Sequence, residues 1–124
     1  MPPRFNEFKE IKDSTRDAVL KRQNNRSITG AWLGDCPSFH HVVPRSASGV
    51  GFEWNIVALT FDEHRAYHDH KPIKVNGREY YTWEEFDTLL RNHLRLRYRN
   101  WSVERCKYHK YWGIEDYGIV REDQ

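Results

Sequence analysis

Residues 36–68 read CPSFHHVVPRSASGVGFEWNIVALTFDEHRAYH, and the order of polar and apolar residues in this stretch decides the fold. It opens with adjacent histidines, His40 and His41, followed by the apolar pair Val42 and Val43 and a closing Pro44. A Gly/Ser loop follows, then Asn55 leads the apolar run Ile56, Val57, Ala58 and Leu59. A polar segment with His64 and His68 completes it, so four of the seven histidines fall in two clusters that a hairpin can bring together. The pattern predicts a first strand over Phe39–Val43, a second within Phe52–Thr60, and a helix over DEHRAYH that Pro72 prevents from continuing.

The two histidine clusters have different geometries. On a helix, His64 and His68 stack on one face, one turn apart. On a strand, His40 and His41 point to opposite sides. Two histidines at i, i+4 and one from a neighbouring strand make a three-ligand metal site with a position open to water or substrate. The adjacent pair therefore divides its work: one ring holds metal and the other is free to move a proton. His70 stands two residues beyond His68, on the wrong helix face to join them.

On HHVVPRS, on Asn55 in WNIVAL, and on EHRAYH, the chain resembles the HNH nucleases of the ββα-metal (His-Me finger) fold. The likeness is strongest to members with a doubled first histidine and an HxxxH helix, as in phage HNH proteins and nuclease bacteriocins. It implies an α+β fold, with a small ββα-metal core over 36–70 flanked by N-terminal and C-terminal helices. It also implies that His40, His64 and His68 ligate one divalent ion, that His41 is the general base, and that Asn55 fixes the loop between the strands. The implied activity is hydrolysis of DNA phosphodiester bonds, with double-stranded DNA as partner. The implied setting is the cytoplasm of a bacterial cell, as for phage-encoded members. Two departures stand out: the paired CxxC motifs of many phage members are absent, and many members carry Asp where His40 stands.

Within that resemblance, a neutral His41 takes the proton of the attacking water, a contribution on the order of a hundred- to ten-thousand-fold. Its other nitrogen is oriented by a backbone carbonyl of the hairpin or by Asn55. Arg45, beside the site, is able to grip a phosphate with two parallel hydrogen bonds. Three neutral imidazoles hold Zn²⁺, Ni²⁺, Co²⁺ or Mn²⁺ more tightly than Mg²⁺. Tight binding does not decide which ion works, so Mg²⁺, Mn²⁺, Zn²⁺ and Ni²⁺ remain candidates.

Composition bounds these readings. A chain of 124 residues is one domain (1–124), with room for a single core. The formal charge is only +2, Lys+Arg 20 against Asp+Glu 18, so nucleic-acid binding has to come from a local patch. Cys36 and Cys106 are far apart and lack partners at ligand spacing, which argues against a disulfide framework and suits a reducing interior. No segment approaches the roughly 20 apolar residues that span a bilayer, and the N-terminus has no apolar leader, so the expectation is a soluble protein without membrane partners.

Outside the central stretch, residues 4–26 read as one helix packed over the core through Phe5, Phe8, Ile11, Ala18 and Val19. Its basic residues, Arg16, Lys21, Arg22 and Arg26, also suit contact with a phosphate backbone. Trp32 and Leu33 are expected to cap the small core. IKVNGREYYTW signals a hairpin turning at Asn76-Gly77. Residues 83–101 form the strongest helix, with Thr82 and Glu85 as a capping box. Phe86, Leu90, Leu94, Tyr98 and Trp101 make its apolar stripe. Arg91, Arg95 and Arg99, with Arg97 nearby, form a second stripe, read as a DNA-backbone surface because like charges at that spacing otherwise repel. In the tail, 102–124, Tyr108, Tyr111, Trp112 and Tyr117 are expected to fold back onto the core rather than stack on bases.

Other zinc chemistries fit poorly. Arg65 stands where the glutamate of HExxH would be, and the deaminase signature is missing. A closed structural site would need a fourth ligand, for which Cys36 is the local candidate. From another functional class, the alternative is a non-catalytic nucleic-acid-binding or interaction module retaining an HNH fold.

Overall fold

In the computed structural model, which describes residues 3–75 and 79–122, the chain begins with helices α1 (Pro3–Lys9) and α2 (Asp13–Arg22). Strand β1 (Ser38–His41), strand β2 (Ile56–Leu59) and helix α3 (Phe61–His68) follow. Next come β3 (Ile73–Val75), β4 (Glu79–Tyr81), α4 (Trp83–Arg97), β5 (Tyr98–Arg99) and β6 (Val120–Arg121). The described residues thus form an α+β arrangement of four α-helices and three two-stranded antiparallel sheets. The expected Asn76-Gly77 turn lies outside the described residues; the strands on either side pair, with Ile73 opposite Tyr81.

The hairpin of β1 and β2 is the centre of the fold. Ser38 lies opposite Leu59, His40 opposite Val57, and His41 opposite Ile56. All four residues of β2 are buried, because both of its faces are covered. Ile56 and Ala58 pack with Val19 of α2 and Leu33, while Val57 and Leu59 join the larger core with Phe86, Leu90 and Leu94 of α4. An apolar run without alternation is what such a strand requires. Thr60 and Thr82 each accept a hydrogen bond from the backbone N–H three residues on, closing capping boxes with Glu63 and Glu85 at the starts of α3 and α4.

Several elements end where long-range contacts, not local pattern, stop them. The helix expected over 4–26 is broken into α1 and α2. The Phe8 carbonyl accepts from Gly51 N–H at 2.8 Å and the Lys9 carbonyl from His41 Nε2 at 3.0 Å, so the last turn of α1 is drawn towards the inter-strand loop. The Glu10 carbonyl lies so close to Gly51 that a Cβ there would stand 2.1 Å from its oxygen. The first strand stops at His41 rather than Val43, because Val42 and Val43 bond to Asn55 instead of continuing the ladder.

The helix expected over 83–101 ends at Arg97. Tyr98 and Arg99 turn into a strand against Val120 and Arg121, and Glu122 N–H donates to the Arg97 carbonyl at 2.8 Å. Trp32 does not cap the core: it is 62% exposed, while Leu33 is buried as expected. The tail folds back through fully buried Tyr117 and the half-buried Tyr108 and Trp112, but Tyr111 is 85% exposed. No helix among the described residues is long and apolar enough to cross a membrane.

Candidate metal centre

Alternation along β1 sends Ser38 and His40 towards α3 and His41 to the other side of the strand, towards the end of α1. One turn of α3 brings His64 and His68 together. One ring nitrogen from each of His40, His64 and His68 then falls within 4.8 Å of the other two, a group able to hold a metal ion. His64 is the hub. Its Nε2 lies 3.2 Å from His40 Nδ1 and 2.9 Å from His68 Nε2.

Two nitrogens bound to one tetrahedral ion at 2.0–2.1 Å stand about 3.3 Å apart, so these spacings fit a shared cation. Ser38 Oγ is hydrogen-bonded to His64 Nδ1. When Nδ1 carries the proton and donates to Ser38, the Nε2 lone pair is left facing the other rings, which is how an outer partner sets a ligand's tautomer. Cys36 is exposed and is not part of the group that meets this spacing, so among the described residues no thiol closes it.

Two of these rings, His40 and His64, are held towards their uncharged form. Burial, then the positive charges that His64, His68 and His41 would carry, push His40 down to about 3. Burial and then His68 and His41 push His64 down to about 4. Metal binding requires neutral imidazole, so both lone pairs are available well below neutral pH. His40 is 3% exposed and packs edge-on against Tyr67, whose hydroxyl donates to Asp87 Oδ1 at 3.1 Å. Burial first, then Asp87, raises the Tyr67 hydroxyl to about 12, so it remains a donor.

His41 is half-buried beside this group. A carbonyl only accepts, so the 3.0 Å contact to the Lys9 oxygen puts a proton on His41 Nε2 and leaves Nδ1 with its lone pair. Burial lowers its pKa; the Lys9 hydrogen bond opposes that, and the charges of Arg45 and Lys9 add to it. The orienting group expected from the hairpin or from Asn55 thus comes from a helix over 30 residues away in sequence, His41 and Lys9 being 32 apart.

Asn55 has another task. It is fully buried; Oδ1 accepts from Val43 N–H at 2.8 Å, and Nδ2 donates to the Val43 and Val50 carbonyls at 3.0 and 2.8 Å. It ties both ends of the inter-strand loop together and makes no hydrogen bond to His41. Arg45, exposed in a single 3₁₀ turn (Arg45–Ala47), is close enough for its charge to act on His41.

The arginine stripe is not assembled as expected. Arg91 is paired with Asp87 at 2.8 Å, Arg95 bonds Asn92 and lies over Trp101, and Arg99 stands on β5 beside Glu122. Arg91, Arg95 and Arg97 stay on α4 while Arg99 leaves it, because β6 captures the chain at Tyr98.

Sequence reasoning missed Ser38 and Lys9. Ser38 was within reach of it, since two residues before His40 on a strand is the same face. Lys9 acts through its backbone, which carries no sequence signal. No protein-family model, curated protein or solved structure matches this chain.

Proposed function

We propose that the chain is a metal-dependent endonuclease with a ββα-metal core that hydrolyses DNA phosphodiester bonds. One observation carries the reading. Three imidazole nitrogens gather within 4.8 Å on one side of β1, while the adjacent His41 stands on the other with its tautomer set by Lys9.

His40, His64 and His68 hold one divalent ion, which when bound supplies positive charge to the scissile phosphate and the leaving 3′-oxygen. His41 accepts the proton of the attacking water at Nδ1. Lys9 keeps Nε2 protonated and stabilises the imidazolium that results. Arg45 offers its guanidinium to a non-bridging phosphate oxygen. Asn55 holds the loop that carries Arg45, and Ser38 holds the tautomer of His64. Imidazole ligation favours Zn²⁺, Ni²⁺ or Mn²⁺ over Mg²⁺.

The test is plasmid nicking with each of these ions. His41→Ala abolishes turnover and leaves metal affinity, by titration calorimetry, nearly unchanged; His40→Ala loses both. Equal loss of metal in the two variants refutes the division of roles. Wild-type protein loaded with each ion that leaves DNA and RNA intact refutes the nuclease and leaves a binding module.

A further inference from the structure

A cleft of about 660 Å³ lies between α2 and the end of α4, walled by Ala18, Lys21, Arg22, Glu53, Leu96 and Arg97. A second hollow of about 600 Å³ shares Arg22, Leu96 and Arg97 and extends to Arg26 and His93. Among the described residues Glu53 is the one acid on either wall, and it is already engaged by Arg121 at 2.6 Å and the Tyr98 hydroxyl at 2.9 Å. Arg22 spends its two terminal nitrogens on neutral acceptors: the Glu53 and Ile56 carbonyls, the Tyr98 hydroxyl and Gln23 Oε1, at 2.7–3.1 Å. Among the described residues its Nε is enclosed without a hydrogen-bond partner, and so is His93 Nε2. Lys21 and Arg97 make no side-chain hydrogen bond or ion pair among the described residues.

Glu53 partly offsets the charge of Arg22, but Lys21, Arg22, Arg26, Arg97 and Arg121 face that single acid on the two walls, and the enclosed Arg22 Nε–H without an acceptor is costly.

We propose that this cleft is a phosphate-binding site, in which Lys21 and Arg97 donate to the phosphate oxygens beside the buried Arg22 guanidinium and the His93 ring. Burial first, then the charges of Arg22 and Arg97, hold the His93 ring down to about 3, and those two cations are also what would attract an anion. The site is separate from the histidine cluster. Ten residues of α4, about 15 Å of rise, separate Arg97 from Asp87, the partner of Tyr67. The site stands on the cleft alone. Where the nuclease reading holds, the phosphate belongs to the DNA backbone several nucleotides from the cut; otherwise it belongs to a small phosphate-bearing molecule.

The experiment follows the His93 ring resonances in the full chain during titration with inorganic phosphate, at ionic strength matched with chloride. A parallel titration uses a short DNA duplex. Saturable shifts of His93 that weaken about tenfold in Arg97→Gln support the site. Shifts with the duplex assign it to nucleic acid; shifts with phosphate alone assign it to a small anion. No shift with either probe overturns it, as does binding that Arg97→Gln and Lys21→Gln both leave unchanged. His64→Ala, which disables the metal cluster, leaves the phosphate titration intact, so the nuclease reading can fail without this one.

Discussion

Replacing Asn55 by alanine tests the assignment of this residue to loop closure. The side chain makes three hydrogen bonds, at 2.8, 3.0 and 2.8 Å, to Val43 N–H, Val43 C=O and Val50 C=O. Val43 and Val50 are themselves buried, so solvent cannot replace the lost partners. Each enclosed backbone group left unpaired costs about 1–3 kcal/mol, and partial relaxation makes the three less than additive. The expected loss is about 3–6 kcal/mol, against a total stability of about 5–15 kcal/mol for a domain of this kind. Urea unfolding followed by far-UV circular dichroism and tryptophan fluorescence measures it. Asn55→Asp is a second test: it keeps the acceptor for Val43 N–H but sets a carboxylate against two carbonyls, so its stability is also low near neutral pH. A loss below about 1 kcal/mol in Asn55→Ala, with an unchanged denaturant slope, would show that other contacts close the loop.

Gly51→Ala places a Cβ 2.1 Å from the Glu10 oxygen and 2.9 Å from the Lys9 oxygen. The end of α1 has to move, so plasmid nicking falls while metal affinity holds; full turnover together with reduced stability would uncouple Lys9 from His41. Ser38→Ala frees His64 Nδ1 and weakens metal binding by about 10- to 100-fold, read by titration calorimetry; unchanged affinity would remove Ser38 from the centre. In metal-free protein, His40 and His93 both sit at about 3 against an ordinary 6.5. Depressed values mean that the unfolded chain takes up the protons first, so the stability they contribute is present above about pH 6.5 and is lost as pH falls towards 3. The slope is up to about 1.4 kcal/mol per pH unit for each ring, and a urea midpoint that stays flat from pH 7 to 5 would contradict it.

The histidine cluster was legible because it depends on two local periods. His64 and His68 share a helix face at any position in the molecule, and His40 and His41 diverge on any strand. The capping box of Thr82 and Glu85 was legible for the same reason, its partners standing three residues apart. Buried positions Phe86, Leu90 and Leu94 followed from helical spacing alone. The ends of α1, β1 and α4 were not, since each is set by a partner far along the chain: Gly51 for Phe8, Asn55 for Val42 and Val43, and Glu122 for Arg97.

The amino-acid order by itself determined which residues could share a face, and so which imidazoles could meet. Only the tertiary structure decided which backbone oxygen holds His41, that Arg99 leaves the helix for a strand, and that Arg22 and His93 enclose unpaired nitrogens beside one cleft. The physical reason is reach. Side-chain periodicity is a property of a few consecutive residues, whereas a carbonyl or a charge acquires its partner only when segments tens of residues apart are packed together.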